Sequence, residues 1–480
     1  MHEFYSGKPT QDVMRTNRTY AEATQSGMQI DPANREFNHA VDVVIQQRKS
    51  LFLTGKAGSG KTYFLKYIVE KCMEAKINVA VVAPTGIAAL NAGGQTIHSF
   101  FQVPISIFPP DDKRLRTKVP NNDEDKTSIY NIFGYRETRK EIIKNLDLLI
   151  IDEVSMVRCD LLDLIDRLLR VFRGKDKGEE NKPFGGVQVV LIGDPFQLSP
   201  VVSGSDWDIL QLSYVSPWFF SSRAFVNISA SIELQKIYRQ TDAAFISILN
   251  GVRDSTLSST DLQTLNQRHN PSFRISSSDK KYMYITTHNA TVDRINETEL
   301  EQLKSPPYQF QGRIQGVFPQ KELPAPLFLT LKKGAQVMLV KNDSAGKYVN
   351  GSLGEIVELD NNEITIRLDS GFEFELVREF WFNIEYIWNV KEKKIQENTI
   401  GKFWQYPIKL AWCISVHKSQ GLTFKYVLAD LASAFATGQV YVALSRCTSL
   451  DGLILKNKIP PYAIKTDPRV REFYKTVNNP

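Results

Sequence analysis

Apolar runs of strand length alternate with helix-like stretches along the first half of the chain. The strand-like runs lie at 51–54, 78–83, 146–151 and 187–192, and helical periodicity is clear at 36–47. Alternating strands and helices predict a mostly parallel sheet covered by helices. Ligands of such folds bind at the carboxyl ends of the strands.

The same alternation returns in the second half, where a strand-rich region interrupts it. One α/β unit is predicted at 282–303, and the alternation resumes at about 410. Between them, 326–400 contains short strand-like runs separated by turn sequences such as Asn350-Gly351. We therefore predict a second α/β domain that carries an inserted small β-barrel.

The pattern divides the chain into four parts. They are an N-terminal arm at 1–35, a first α/β domain at 36–222, a second α/β domain at 223–325 and 401–480, and the barrel at 326–400. Prolines and an acidic run at 102–140 predict an excursion from the first sheet. An insertion of that length is either functional or loosely ordered.

The run after the first strand is the sequence GKAGSGKT, which has the G-x-x-x-x-G-K-T spacing of a P-loop. A helix-like stretch follows it, so the motif has the strand–loop–helix context that it requires. Such a loop binds phosphates with backbone amides, a lysine and a hydroxyl that reaches Mg²⁺. The predicted nucleotide-binding residues are Gly55, Ala57, Gly58, Ser59, Gly60, Lys61 and Thr62. The alternative is a chance Gly/Ser turn before a helix.

Two further runs end in polar residues suited to the same chemistry. Asp152 and Glu153 follow the strand at 146–151, where an acid can hold Mg²⁺ and a second acid can polarise water. Gln197 follows the next strand, where its amide can sense a γ-phosphate or position a water. Arg446, in the second α/β domain, fits an arginine that reaches that phosphate across a cleft. The alternatives are a helix cap for the acidic pair and a surface ion pair for the arginine.

Composition narrows the class of protein. The 480 residues are 42% hydrophobic and 23% charged, which is typical of a globular protein, and no apolar run has the ~20 residues of a membrane span. The four scattered cysteines indicate a reducing compartment, and the six histidines lack metal-ligand spacing. The N-terminus lacks a secretion signal. We expect a cytoplasmic protein if the source is bacterial or viral, and a nuclear or mitochondrial one if eukaryotic.

A net charge of +6 is compatible with a polyanion partner and equally with solubility alone.

Eight motifs in this order resemble those of superfamily one helicases. They are GKAGSGKT, APTGIAAL, TIHSFF, IIDEVSM, GDPFQLSP, KIYRQ, ISVHKSQGLTF and QVYVALSRC, and the resemblance covers about 36–456. The leucine-rich helix followed by PFGG is similar to the petite-integration-frequency (PIF) family, on the RecD-like branch. That resemblance implies an α/β fold with two RecA-like P-loop NTPase domains built on parallel sheets, plus an inserted SH3-like β-barrel.

The resemblance also implies a role for each matching residue. At the nucleotide, Lys61 and Thr62 bind phosphate and Mg²⁺, Asp152 holds Mg²⁺, and Glu153 activates water. Gln197 couples the γ-phosphate to motion, and Arg239 and Arg446 act as arginine fingers. Asn38 and Gly421 also contribute to the nucleotide site. The implied DNA contacts are Thr85, Gly86, His98, Phe100, Ser155, Met156, Ser415, His417 and Lys418. On composition alone, the alternative for His98 and Phe100 is a position in the core. The excursion at 102–140 carries the duplex-splitting wedge. The family usually has glutamine in place of Asn38 and proline in place of Ser199.

The function implied is an ATP-dependent DNA helicase that moves 5′-to-3′ on single strands and unwinds duplex in genome maintenance (telomeres, repair, recombination or G-quadruplex processing). Its cofactors are ATP and Mg²⁺. Its partners are single-stranded DNA, single/double-strand junctions and G-quadruplex DNA, and no membrane partner is expected. The expected state is a monomer, with DNA-dependent dimerisation as the alternative. The alternatives are a single-strand translocase or remodelling ATPase without unwinding, a metabolite kinase or NTPase, and a passive single-strand binding module.

Overall fold

The computed structural model describes residues 30–121, 123–240, 242–275, 281–343, 346–389 and 391–478. Most of the predicted arm at 1–35 lies outside these ranges. Within them, no helix is both long enough and apolar enough to cross a membrane.

The helices are α1 (Arg35–Ile45), α2 (Lys61–Glu74), α3 (Gly86–Ala92), α4 (Ile97–Phe100), α5 (Ile129–Ile132), α6 (Glu137–Asn145), α7 (Cys159–Leu169), α8 (Lys175–Lys177), α9 (Gly204–Leu210), α10 (Ala243–Asp254), α11 (Ser259–Asn266), α12 (Asn289–Gln302), α13 (Gln439–Leu444) and α14 (Pro468–Asn478). Helix α1 forms where predicted because Asn34 caps its first turn and its apolar face is buried at Phe37, Ala40 and Val44.

The strands before the second domain are β1 (Leu51–Gly55), β2 (Val79–Ala83), β3 (Gln95–Thr96), β4 (Leu148–Ile151), β5 (Gln188–Ile192) and β6 (Ala230–Leu234). Then come β7 (Met283–Thr286), β8 (Tyr308–Gln311), β9 (Arg313–Gly316), β10 (Phe328–Leu331), β11 (Gln336–Leu339), β12 (Leu353–Leu359) and β13 (Ile364–Leu368). The last are β14 (Glu373–Glu375), β15 (Glu379–Asn389), β16 (Lys394–Gln405), β17 (Ile408–Leu410), β18 (Cys413–Ser415), β19 (Val427–Asp430) and β20 (Leu453–Leu455).

The first sheet is parallel throughout and has the order β3-β2-β4-β5-β1-β6. Strands β1 and β4 are buried along their whole length, as expected of strands covered on both faces. Strand β6 pairs with β1 from Leu51↔Ala230 to Gly55↔Leu234. The first domain therefore extends to Leu234, beyond the predicted boundary at 222.

The second parallel sheet has the order β18-β7-β19-β20. The α/β class with two parallel sheets is thus confirmed. Between α12 and β18 the chain forms three antiparallel sheets, with the orders β14-β13-β12-β11-β17, β15-β16-β9 and β10-β8. This region runs from Tyr308 to Leu410, so it is longer than the predicted 326–400.

The excursion at 102–140 packs on the first domain. Its side chains Phe108, Leu115, Ile129 and Phe133 are buried in the same core as helix α7. The acidic run is held by Arg116, whose guanidinium lies 2.7 Å from Asp123. The segment is therefore packed over its described residues, and its role as a wedge stays a prediction.

Two elements of the second half reach back to the first domain. The long hairpin β15–β16 places the Tyr386 hydroxyl 3.3 Å from the Val81 amide, which donates to it. Helix α14 places Phe473 against the first core, stacked 4.2 Å from the ring of Phe220. Both contacts attach the second half of the chain to the first domain. The cleft between the two parallel sheets lies at the carboxyl ends of β4 and β18, where Glu153 and Gln420 meet across it.

Candidate nucleotide site and strand-binding surface

The P-loop lies between β1 and α2, and its shape requires glycine. Gly58 and Gly60 have φ angles of 82° and 91°, which residues with a Cβ rarely adopt. A Cβ on Gly58 would also lie 2.5 Å from the Cβ of Arg239. The loop is therefore packed directly against the segment that leads into the second domain.

The donors of the loop fit a polyphosphate. Lys61 Nζ donates to the carbonyl oxygens of Gly55, at 2.6 Å, and Lys56, at 3.0 Å, inside the loop itself. Burial lowers the pKa of Lys61, while the carboxylates of Asp194 and Glu153 oppose that shift. Ser59 Oγ is buried without a hydrogen-bond partner among the described residues. Phosphate oxygens would give Ser59 the partner that it lacks and would give the Lys61 ammonium an anion in place of neutral carbonyls.

The acidic pair at the end of β4 is electrostatically strained. Burial and the neighbouring Glu153 carboxylate raise the pKa of Asp152 to about 7. Burial also raises the pKa of Glu153, although the charges of Lys61 and Arg446 oppose that shift. Glu153 has a φ of 51°, an uncommon left-handed conformation. A divalent cation at this edge would relieve the repulsion, and Thr62, exposed at the start of α2, is available as a further ligand.

Residues of the second domain reach across the cleft into this site. Gln420 Nε2 donates to Glu153 Oε2 at 2.8 Å. The Ala57 amide of the P-loop donates to the Tyr441 hydroxyl at 3.0 Å. Sequence reasoning did not assign a role to either partner. Both lie inside motifs that it identified, Gln420 in ISVHKSQGLTF and Tyr441 in QVYVALSRC. The cleft is therefore bridged at the P-loop and at the predicted base.

The two predicted arginine fingers lie together at the end of α13. Arg239 donates to the Ser445 carbonyl at 3.2 Å and to the Gly421 carbonyl at 3.4 Å. Arg446 is 1% exposed, and its guanidinium donates to oxygen atoms of its own domain. Burial, with Arg239 nearby, lowers the pKa of Arg446 to about 9. For Arg446 to contact a phosphate directly, its guanidinium would have to give up some of these hydrogen bonds for bonds to phosphate oxygens.

Gln197 belongs to a buried polar cluster. Its Nε2 atom donates to Asp194 at 3.3 Å, and Arg253 donates to the other carboxylate oxygen at 3.2 Å. The Arg253 guanidinium lies 3.9 Å from the ring centroid of Phe196. Asp194 and Arg253 are functional candidates that sequence reasoning missed; Asp194 was visible in the GDPFQLSP motif, whereas Arg253 lies in a helix with no motif.

Asn38 lies in α1 and is half-buried. Its side-chain amide donates to the carbonyl oxygens of Asp31 and Pro32, both at 3.3 Å. Asn34, the residue that caps α1, donates to the hydroxyl of Tyr238 at 3.1 Å, and Tyr238 is 52% exposed. Asn34 and Tyr238 were not among the predicted residues.

The predicted DNA contacts of the first domain follow its strands β2, β3 and β4. Thr85 caps α3 by accepting from the Ala88 amide at 3.3 Å, and the Glu322 side chain packs beside Gly86. His98 is half-buried, and burial with nearby Arg158 lowers its pKa.

Phe100 corrects one prediction. Its ring is 0% exposed and lies 4.8 Å from Phe101 and 5.7 Å from Tyr386, so in this structure it is a core residue and not part of a channel wall. Its apolar ring gains more from this burial than from exposure to solvent.

The remaining predicted contacts divide by exposure. His417 and Lys418 are exposed just beyond β18, at the carboxyl edge of the second sheet, where a strand can reach them. Ser155 and Ser415 are 0% and 1% exposed, and their hydroxyls are buried without hydrogen-bond partners among the described residues. Met156 is half-buried and packs against the second domain's core.

Sequence comparisons agree with this arrangement. The family model for "PIF1-like helicase" matches residues 31–118 and 113–262. The human "ATP-dependent DNA helicase PIF1" is 33% identical over 461 residues, which are 93% of this chain and 64% of that protein. The chain therefore spans slightly less than two thirds of the length of that relative.

Structure comparisons extend the similarity to nearly the whole chain. The crystal structure of Bacteroides sp Pif1 in complex with ADP-AlF4 is 38% identical, with a TM-score of 0.81 over 93% of this chain and 97% of that chain. Bacteroides Pif1 bound to ssDNA is also 38% identical, with a TM-score of 0.64 over 94% of this chain and 98% of that chain. The fold is thus more similar to the first of these two structures.

Proposed function

The chain belongs to the PIF1-like helicase family, and from that premise we propose that it is an ATP-dependent DNA helicase that moves 5′-to-3′ along single strands. The observation that carries the proposal is the pair of hydrogen bonds across the cleft, Ala57 to Tyr441 and Gln420 to Glu153. They connect the phosphate loop and the predicted base of one α/β domain directly to the other. A metabolite kinase does not require such a second domain.

In the proposed reaction the P-loop amides and Lys61 bind the phosphates of ATP. Thr62 and Asp152 would hold Mg²⁺, which would supply charge neutralisation at the transferred phosphoryl group. Glu153, placed at the cleft by its contact with Gln420, accepts a proton from the attacking water. Arg239 and Arg446 approach the developing charge from the second domain, where they act as arginine fingers. Asn38 and Gly421 complete the nucleotide site.

Movement follows from the cleft. Nucleotide bound between the domains changes the contacts that Gln420 and Tyr441 make, so binding and product release alter the relative position of the two sheets. If each domain holds the same strand, that change advances the protein along it. Support comes from the carboxyl-edge position of Thr85, Gly86 and His417. The Bacteroides relative bound to ssDNA supports single-stranded DNA as the track.

We assign the finer architecture on the same basis. The two parallel sheets are RecA-like domains, and the five-stranded antiparallel sheet is an SH3-like barrel. The packed segment at 102–140 is the wedge that meets duplex at a junction. A role in genome maintenance, with G-quadruplex DNA as a further substrate, follows from the family alone.

A strand-separation assay tests the function. The substrates are short duplexes with either a 5′ or a 3′ single-stranded tail, incubated with ATP and Mg²⁺. We expect separation of the 5′-tailed duplex, and no separation by Glu153→Gln, which keeps the shape of the site but removes the base. Separation from the 3′ tail alone would contradict the polarity. ATP turnover without separation of either substrate would favour the translocase.

A further inference from the structure

A buried ion pair joins the two α/β domains beside the nucleotide site. Arg253 of α10 lies 3.2 Å from the carboxylate of Asp194, which follows β5 of the first domain. The two side chains are 1% and 0% exposed, so bulk water solvates neither charge. Burying two charges is costly, and replacing such a pair with apolar side chains often leaves a protein equally stable. The pair is therefore better explained by a function than by stability alone.

The Arg253 guanidinium is fixed by its surroundings. It lies 3.9 Å from the ring centroid of Phe196 and 4.6 Å from that of Tyr474. A second carboxylate, that of Glu233 in β6, lies 3.9 Å away. The Arg253 Nε atom is buried without a hydrogen-bond partner in the part of the chain that the structure describes. The side chain thus leaves one donor unused in order to hold this position, which is typical of a functional group.

The Asp194 carboxylate connects this arginine to Gln197, the residue that the sequence predicts as the γ-phosphate sensor. Oδ1 of Asp194 accepts from Arg253, and Oδ2 accepts from Gln197 Nε2 at 3.3 Å. An ionised carboxylate can only accept hydrogen bonds, so it selects the amide orientation in which the nitrogen faces Asp194. Arg253 therefore acts on the Gln197 amide through one intervening side chain.

The loop at 194–197 lies between the phosphate site and the second domain. A Cβ on Gly438, just before α13, would lie 2.1 Å from the Gln197 carbonyl oxygen, so the second domain also contacts the backbone of this loop. Phe196 is buried among core side chains of the second domain. On the other side, burial lowers the pKa of Lys61, and the carboxylate of Asp194 is the largest opposing influence. Asp194 is therefore close to the P-loop as well as to Arg253.

We propose that Arg253 is a positioning residue for ATP hydrolysis, which fixes Asp194 and through it directs the Gln197 amide to the γ-phosphate. The proposal rests on the proposed function, since it adds a residue to the same ATP site. Arg253 itself does not contact the nucleotide. Because Arg253 belongs to the second domain, moving the domains apart withdraws it from Asp194 and releases the amide. Hydrolysis is thereby restricted to the state in which the two domains are in contact.

Nucleotide affinities of the full chain test the proposal. They are measured with fluorescent ADP and Mg²⁺, alone and with aluminium fluoride, which takes the place of the transferred phosphoryl group. We expect Arg253→Gln to bind ADP like the wild type, because ADP lacks the γ-phosphate. It should bind ADP with aluminium fluoride about 10- to 100-fold more weakly, as expected when a group at the reacting phosphate is displaced by about 1 Å. ATP turnover at saturating DNA should show a lower kcat with an unchanged KM.

A purely structural contact would give a different result. If Arg253 only held the domains together, Arg253→Gln would weaken both ligands by the same factor or neither, and either result would overturn the proposal. Arg253→Lys keeps the charge but replaces the planar guanidinium with an ammonium, so it should recover part of the lost affinity. Should Arg253→Gln fail to fold, Arg253→Lys decides, and wild-type affinities for both ligands would then overturn the proposal.

A double variant tests whether Arg253 acts through Gln197. Gln197→Ala should also lose affinity for ADP with aluminium fluoride and keep its affinity for ADP. Combining it with Arg253→Gln should cause no further loss, because both changes remove the same interaction. Losses that multiply in the double variant, or wild-type affinities in Gln197→Ala, would overturn the proposal.

Arg268→Gln is the matched control. Arg268 lies in the same domain and donates to the carbonyl oxygens of Leu453 and Asp451, at the edge strand β20 of the second sheet. Arg268→Gln should bind both ligands like the wild type. If the wild type itself neither binds ADP nor hydrolyses ATP, the proposed function fails. If the wild type and Gln197→Ala behave as expected while Arg253→Gln keeps wild-type affinities, only the role of Arg253 fails.

Discussion

At the scale of single residues, the acidic pair after β4 connects stability to pH. The folded protein raises the pKa of Asp152 to about 7 from an ordinary value of 3.8. The folded state therefore binds a proton more tightly than the unfolded chain does, and the ionised carboxylate opposes folding. Without nucleotide or divalent cation, the free energy of unfolding should fall as pH rises from about 4 to 7 and change little above that. Asp152→Asn should be more stable than the wild type at pH 8 by about 4 kcal/mol, because each unit of pKa shift corresponds to about 1.4 kcal/mol.

Urea denaturation of both proteins at pH 5, 6, 7 and 8 measures this difference. It should narrow towards pH 5, where Asp152 is protonated in the folded wild type. Asp451→Asn is a matched control, because that carboxylate is 99% exposed. Parallel pH profiles for the wild type and Asp152→Asn would show that the carboxyl is not perturbed.

Site residues that belong to a short sequence motif could be predicted. Site residues whose role depends on a contact with a residue far away in the chain could not. The phosphate loop requires glycines, lysine and threonine at fixed spacing, so Lys61 and Thr62 were identifiable in the sequence. Arg253 acquires its role only because α10 is packed against Asp194, 59 positions earlier in the chain. Phe100 was assigned to a channel because its motif suggested it, yet Tyr386, far along the chain, covers its ring.

At the scale of elements, the hairpin β15–β16 attaches the antiparallel region to the first domain through Tyr386. Its ring is 5% exposed and packs edge-on against Phe100, and its hydroxyl accepts from the Val81 amide. Tyr386→Ala should lower the free energy of unfolding by about 3–5 kcal/mol, as expected for a large buried ring. Tyr386→Phe keeps the ring and should cost only about 1 kcal/mol. Denaturant unfolding measures both.

Tyr462→Ala controls for the loss of a tyrosine, because that side chain is 73% exposed and should change stability little. Equal effects of Tyr386→Phe and Tyr386→Ala would mean that the hydroxyl, and not the packed ring, holds the hairpin in place.

Elements with a strong period were predictable, whereas their pairing was not. Apolar runs located β1, β2, β4 and β5 because strands buried on both faces need nearly continuous apolar sequence. The edge strand β6 carries the mixed sequence ASIEL, and it was assigned to the second domain because nothing local shows that it pairs with Leu51. Strands β8 and β9 were missed for the same reason, since YQFQ and RIQG lack a strong apolar alternation.

At the scale of the whole molecule, α14 joins the two α/β domains a second time. The chain enters the second domain after β6 and returns at α14, where Phe473 stacks on Phe220 in the first core. At the adjacent position, Tyr474 lies 4.9 Å from Phe196 of the first domain and packs against the core of the second domain, in which Val470 of the same helix is buried. One helix thus contributes to both cores, and the two domains should unfold together.

Phe473→Ala tests that coupling. It removes the ring that packs on Phe220 in the first domain and leaves Tyr474 packed against the core of the second domain. Calorimetry of the wild type should show a single transition. The variant should lose about 2–3 kcal/mol of stability in the first domain, because the Phe473 ring is only partly buried. Its transition should then broaden or divide, since the domains no longer share the same stabilising helix. Lys475→Ala, on the exposed side of α14, controls for changes in helix propensity. A single transition of unchanged midpoint in Phe473→Ala would mean that the contacts across the cleft, and not α14, unite the two domains.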